Sequence, residues 1–347
     1  MKNGSSDNVA IVTIESPNYG NRLQNYALQE TLSALGYRAE TLRRQVPDRS
    51  PAYFARKVVQ SLLSTKGKKF RDFDKKIRKS RYCAGADHAP DALGSSYRFF
   101  IAGSDQIWNP HYDFVGAVDF LTFAPAQKRI AYAASFGVSG LPDDVKTKYA
   151  EYLSGFRAVS VRETSGADII RALTGKESEV VLDPTLMLTK EKWHETERKP
   201  RAVPDGKYVL VYALGEKNEQ FSKAVRESEA TVIDVQRIMP DGREWAVGPM
   251  EFLWLIDHAE MVLTDSFHCT AFSVLFHTRF QVFDRPGISM NARIITLLRN
   301  LGMPEDMDPM NTGDQLLFDF DAADRELERL RNRSFRYLKE ALRSNPE

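Results

Sequence analysis

The sequence predicts an α/β protein made of two Rossmann-like units in tandem, with a ligand cleft between them. Three observations carry this reading. Short β-branched runs alternate with helical stretches along most of the chain. That alternation stops near residues 185–205, where charge and Pro200 and Pro204 accumulate, and then restarts. The 347 residues are enough for two buried cores. The expected layout is a first domain over 1–190 carrying a basic helical insertion near 52–82. A second domain over 200–320 and a terminal helix over 321–347 follow.

In the first domain, Val9 to Ile14 is a β-branched strand that stops at the loop ESPNYGNR. Leu23, Tyr26, Ala27, Leu32 and Leu35 recur at helical spacing, Gly36 is placed to end the helix, and Tyr37 to Leu42 is the next strand. The loop lacks GxGxxG, so no dinucleotide fingerprint is present. Pro47 to Pro51 interrupts the pattern. From Arg56 to Arg81 there are eleven Lys or Arg and two acids, with Val58, Leu62, Phe70, Phe73 and Ile77 interleaved, which predicts amphipathic helices with a basic face. Such a face is either simply solvated or attracted to anionic headgroups or a pyrophosphate. Tyr97 to Ala102 is a strand ending in GSDQIWNP; Phe120 to Phe123 and Arg129 to Ala133 are further strands. A helix at Asp143 to Leu153, a strand at Ala158 to Val161, a helix to Leu173 and a strand at Val180 to Leu182 complete the domain.

In the second domain, strands are expected at Tyr208–Tyr212, Thr231–Val235, Met261–Leu263 and Arg279–Phe283. Helices are expected at Glu219–Ser228, Glu251–His258, the run after Ser266, and Asn291–Leu301 with Gly302 as its cap. Asp321 to Arg343 is a long charged amphipathic helix.

Composition narrows the function. Apolar residues are 42% and charged residues 27%, a soluble globular balance, and the net charge of +1 gives no field directed at nucleic acid. Cys83 and Cys269 are too few for a disulfide framework, which fits a reducing compartment. The N-terminal MKNGSSDNVAIVTI has no basic-then-apolar leader, and no apolar run reaches the roughly 18 residues of a membrane span. A cytoplasmic location is expected. No His/Asp/Glu spacing points to a dedicated metal site, and His277, inside an apolar run, is expected to be buried.

Ligands of open α/β sheets gather outside the carboxyl ends of the strands. Four such ends bear polar groups: Asn21 and Arg22; Ser104, Asp105 and Trp108; Arg162 and Glu163; and Asp183. Arg22 either meets an anionic ligand or is a surface arginine. In MVLTDSFHCTAFSVLF a buried strand turns through Thr264, Asp265 and Ser266 into a helix that begins with His268 in its first turn. A helix start offers free N–H groups and a positive dipole end to an anion. Asp265 or Ser266 could equally serve only as a cap.

The stretches NYGNRLQNYALQ, FIAGSDQIWNP, IAYAASFG, SVRE, VLDPTLML, TDSFHCTAFSVLF and NARIITLLRNLGM, in that order, resemble the polysaccharide pyruvyltransferase family from about Val9 to Gly302. The resemblance implies a two-domain GT-B-like fold. It also implies transfer of the enolpyruvyl group of phosphoenolpyruvate to a sugar, forming a pyruvyl ketal and releasing phosphate. No cofactor is implied beyond that donor. The implied acceptor is a glycan, commonly polyprenyl-pyrophosphate-linked, which gives the Arg56–Arg81 segment a role in peripheral membrane contact. The family's histidine matches His268 and its SVRE arginine matches Arg162. Many relatives carry arginine where this chain has Ser266 and glycine where it has Cys269; Arg285, Arg293 or Arg22 are then the candidates to replace the missing cation.

On this reading His268 protonates the donor, and Arg162 with the Thr264–Ser266 turn binds its anionic groups. Asp105 or Glu163 either accepts a hydroxyl proton or pairs with arginine, and Trp108 either stacks on the sugar or packs in the core. A GT-B glycosyltransferase using a nucleotide sugar and a non-catalytic partner in polysaccharide assembly are the contrasting functions.

Overall fold

The computed structural model describes residues 7–44, 64–236, 246–285, 291–304, 307, 310 and 318–343. The described chain divides into two compact units. One draws on Met1–Phe54, Lys75–Met187 and Leu330–Glu347, the other on Ala55–Asp74 and Leu188–Arg329.

The first unit is a seven-stranded parallel sheet in the order β3-β2-β1-β4-β5-β6-β7. Its strands are β1 (Asn8–Val12), β2 (Arg38–Arg44), β3 (Lys79–Ala84), β4 (Phe99–Asp105), β5 (Arg129–Ala134), β6 (Ala158–Val161) and β7 (Glu179–Val180). Helix α1 (Tyr19–Ala34) links β1 to β2; α2 (Thr65–Asp74) comes next in the chain but belongs to the second unit, and α3 (Leu93–Ser96), α4 (Asp143–Ser154) and α5 (Thr164–Thr174) follow in the first. Every residue of β4 is buried, as a central strand covered on both faces must be. The strand order reverses between β1 and β4, the place where open sheets make their crevice.

The second unit is a four-stranded parallel sheet in the order β11-β10-β8-β9, built from β8 (Tyr208–Tyr212), β9 (Thr231–Asp234), β10 (Met261–Thr264) and β11 (Phe280–Val282). Its helices are α6 (Lys190–His194), α7 (Glu219–Arg226), α8 (Pro249–Asp257), α9 (Phe267–Phe276) and α10 (Ala292–Asn300). All ten residues of α9 are buried; Thr270 and Ser273 return their hydroxyls to the Ser266 and Cys269 carbonyls. The last helix, α11 (Phe320–Ala341), is shared: residues from Leu330 onward belong to the first unit. There Ser334 Oγ accepts from the Leu182 amide at 3.0 Å, and Tyr337 donates to the Ala131 carbonyl at 2.8 Å.

Four expectations need correction. The basic segment is expected in the first domain, but α2 belongs to the second unit. It buries Phe70 and Phe73 and sets Lys69 Nζ 3.1 Å from Glu251 of α8. Residues 56–63, with Val58 and Leu62, lie outside the described residues. The helical reading also ran too far, because Lys79–Ala84 is an edge strand paired with β2. Its buried residues are Ser80 and Ala84, and Ser80 bonds Tyr97 Oη at 2.6 Å, so a polar core residue hid the strand's alternation.

Phe120 to Phe123 is not a strand but the end of a 3-10 turn, Ala117–Phe120, with Leu121 at a φ of 57°. Phe120 is buried to stack on Trp108 rather than to pair in a sheet. His277 is exposed; it ends α9 in the left-handed conformation, and its Nε2 meets Asp324 at 2.9 Å.

The 3-10 turn is closed by Asp119, which accepts from the Gly116 amide at 2.9 Å and from Arg44 Nη2 at 3.0 Å. Burial pushes its carboxyl up to about 6, outweighing Arg44 and the amide, which pull it down. The folded chain therefore keeps a proton that the unfolded chain releases, and this group's contribution to stability falls as pH rises from about 4 to about 6. Urea unfolding across that range should show the wild-type stability falling relative to that of Asp119→Asn, with a constant difference above about pH 6. A difference that stays constant throughout would contradict this.

Candidate active site

At the carboxyl edge of the first sheet, the chain ends of β1, β4, β6 and the segment after β7 meet around one guanidinium. Arg162 has a fully buried side chain; it donates to Asp183 Oδ2 at 2.7 Å and to Asp105 Oδ1 at 2.9 Å. Its Nε is 3.9 Å from Glu163 Oε2. Burial alone would lower the arginine's pKa; the Asp105, Asp183 and Glu163 charges outweigh it and hold the pKa above the usual value.

Each carboxylate has further donors. Asp105 accepts from Asn21 Nδ2 and the Gln106 amide, Asp183 from Ser104 Oγ and from the amide and hydroxyl of Thr185, and Glu163 from the Phe136 amide. Asp105 itself has a φ of 64°. Aspartate tolerates this region better than most residues, and here it turns the strand end toward Asn21 and Arg162.

Asn18 caps α1 through the Gly20 amide, so the helix begins at Tyr19 and brings Asn21 and Arg22 into its first turn, earlier than the Leu23 start expected. Arg22 Nη1 bonds the Ser16 carbonyl at 3.0 Å.

The structure thus unites Asn21, Ser104, Asp105, Arg162, Glu163 and Asp183. Three of them are paired with one another. Arg162 is an internal tie between strand ends rather than a surface clamp, because both faces of its fork are occupied by buried carboxylates. Asp105 and Glu163 are likewise engaged as its partners. Trp108 is fully buried, stacks on Phe120 at 5.3 Å and donates Nε1–H to the Asp119 carbonyl, so it is core rather than a sugar platform.

The second sheet carries a parallel arrangement. Asp265, just past β10, accepts from the Leu214 amide at 2.7 Å and the Gly215 amide at 2.8 Å, both just past β8. Arg285 Nε adds a bond at 3.0 Å. Asp265 therefore bridges this sheet's own point of strand-order reversal, between β8 and β10. The Leu214–Gly215 amides were not foreseen, although Gly215 directly after a strand was a signal: a Cβ there would lie 2.4 Å from Arg285 Cγ.

Thr264 Oγ1 donates to the Tyr212 carbonyl at 2.6 Å and accepts from the Ser266 amide. Ser266 is the N-cap of α9 and receives the Cys269 amide. His268 stands in the first turn, 7% exposed, edge-on to Phe267 at 5.3 Å. Arg293 is buried in α10. Cys269 is fully buried and burial pushes its thiol up to about 12, which makes it a small neutral packing residue and not a nucleophile.

Removing the Arg162 charge leaves three buried carboxylates facing one another. Arg162→Met should cost about 3–5 kcal/mol in urea unfolding. Arg22→Met, which loses the bond to the Ser16 carbonyl but leaves no three buried carboxylates facing one another, should cost less. Equal losses in the two variants would overturn the assignment of Arg162 as the structural tie.

No curated protein matches the sequence. Among solved structures, the fold is similar to that of a candidate UDP-N-acetylglucosamine 2-epimerase from Listeria monocytogenes. The TM-score is 0.51 at 12% identity, with 98% of this chain and 92% of that one covered. A UDP-GlcNAc 2-epimerase from Neisseria meningitidis bound to UDP-GlcNAc (TM-score 0.46, 10% identity, 98% and 94% covered) also matches. So does the glycosyltransferase SnogD from Streptomyces nogalater (TM-score 0.37, 14% identity, 97% and 99% covered). The first likeness supports the α/β, GT-B-like fold class. A family model described as polysaccharide pyruvyl transferase matches residues 18–285, which takes in both strand-edge clusters and His268. The chain is a transferase that belongs to the polysaccharide pyruvyl transferase family.

Proposed function

We propose that this protein moves the enolpyruvyl carbons of phosphoenolpyruvate onto two hydroxyls of a sugar, forming a pyruvyl ketal. The observation that carries the reading is the place of His268. It is the titratable side chain in the first turn of a ten-residue helix that starts at a crevice-forming strand end.

The chemistry needs a proton donor, an anion cradle and room for a diol. His268 in its protonated form gives a proton to the methylene carbon of phosphoenolpyruvate, which becomes a methyl group. The adjacent carbon becomes oxocarbenium-like and bonds to the first sugar hydroxyl oxygen. Its bond to the phosphate oxygen then breaks, and the second hydroxyl oxygen closes the ketal. Of the two hydroxyl protons, one restores the His268 imidazolium and the other leaves with phosphate.

The first-turn amides of α9 and its dipole favour the donor's anionic groups. Arg285, held by Asp265 at the same strand edge, is the proposed replacement for the arginine absent at Ser266. Arg162, Asp105 and Glu163 act at one remove, as the frame that positions the first sheet's edge. The proposed acceptor is a cell-surface glycan or its polyprenyl-pyrophosphate-linked precursor, with the Arg56–Arg81 segment in contact with the lipid phosphates. Among the described residues no helix is long and apolar enough to cross a membrane.

The test follows phosphate release from phosphoenolpyruvate in the presence of glycan acceptors, alongside thermal-shift titration with phosphoenolpyruvate and with UDP- and GDP-sugars. Acceptor-dependent phosphate release should fall ~10²–10⁴-fold in His268→Ala. Stabilisation by phosphoenolpyruvate should persist in that variant, because the donor's anions are bound elsewhere. Stabilisation by a nucleotide sugar alone, or unchanged turnover in His268→Ala, would defeat the proposal.

A further inference from the structure

A second cluster of ligating side chains lies in the second unit at the other end of α9 from His268. His194 ends α6, Glu197 follows three residues later, and Asp257 ends α8. One ring nitrogen and one oxygen from each carboxylate lie within 4.8 Å of one another. His194 Nε2 is 3.5 Å from Asp257 Oδ2. The imidazole is held flat on Phe276, the last residue of α9, with ring centres 5.7 Å apart. Since α9 rises about 1.5 Å per residue, this end lies about 12 Å along the helix from His268.

The charges around the cluster are unbalanced. Glu197 Oε2 is buried and makes no hydrogen bond among the described residues. Asp257 stands at a helix C-terminus, where the dipole disfavours an anion. Lys190 Nζ lies 3.5 Å from its Oδ1, and His258 Nδ1 lies 3.4 Å from its Oδ2. His258 Nδ1 also meets the Trp254 carbonyl at 3.0 Å. Lys190 serves Asp257 and also donates to the Phe276 carbonyl.

We propose that His194, Glu197 and Asp257 form a binding site for a divalent transition-metal ion, with Zn²⁺ the ion that fits best. One imidazole and two carboxylates are ordinary zinc donors, and a tetrahedral site with bonds of about 2.0–2.1 Å places its ligands about 3.4 Å apart. The His194–Asp257 spacing already matches, and rotation of the Glu197 side chain closes the remainder. The site joins the turn after α6 to the end of α8 and takes no part in the chemistry at His268. It is invisible to a spacing search because Asp257 is sixty residues from Glu197 in sequence (257 minus 197).

The experiment uses the full chain, stripped with a chelator and titrated with ZnCl₂ by calorimetry, with CoCl₂ absorption as a second probe. One equivalent should bind and raise the melting temperature. Glu197→Gln and Asp257→Asn should each weaken binding by about tenfold or more, while His268→Ala should leave it unchanged. Glu197→Gln preserves shape and removes a buried charge, so it should melt no lower than the metal-free wild type. It therefore carries the test even if Asp257→Asn folds poorly. Absence of binding, or the same affinity in Glu197→Gln, would overturn the proposal.

Discussion

The first sheet depends on one buried guanidinium. A parallel sheet delivers the ends of its strands to the same edge, and here β4, β6 and the segment after β7 each deliver a carboxylate: Asp105, Glu163 and Asp183. Three anions cannot share a buried edge without a cation and a set of directed donors. Arg162 supplies the cation; Asn21, Ser104, Thr185 and the amides of Gln106 and Phe136 supply the donors. Its planar fork spans two carboxylates at once, which the point charge of a lysine does not do. The result fixes the register of the strand ends on both sides of the reversal between β1 and β4.

The second sheet solves a similar problem with one carboxylate. Asp265 reaches across from β10 to the two amides that end β8, with Arg285 alongside. Both clusters tie together the strands that flank a change in strand order, where no crossover helix fills the crevice. At the second edge the chain then enters α9, and two residues of its first turn have clear local duties. Ser266 caps the helix, and Cys269 fills a fully buried position as a neutral thiol.

Much of this was legible in the sequence. Helix ends at Gly36 and Gly302, the β-branched strands, and the polar residues at strand ends all follow from local rules that act over a few residues. The elements that were misread had local signals outvoted by packing. Lys79–Ala84 is dense in cations yet pairs as a strand, because an edge strand needs only one inward face and Ser80 can bond there. Phe120 looks like a strand residue but leaves the sheet to stack on Trp108. His277 sits in an apolar run yet lies at its helix end, where Asp324 reaches it.

By itself the sequence determined the fold class, the family, and the fact that Arg162 and Asp105 stand at strand ends, since periodicity and turn chemistry are properties of neighbouring residues. Only the tertiary structure decided what those residues do. Whether an arginine binds a ligand or its own protein depends on which charges other strands bring within about 3 Å, and Asp105 and Asp183 come from 57 and 21 residues away in sequence. The same holds for Trp108, whose burial is settled by Phe120 and Phe136, and for the His194, Glu197 and Asp257 group, which exists only because two helix ends meet. Through-space electrostatics and burial are set by sheet order, and no local pattern encodes that.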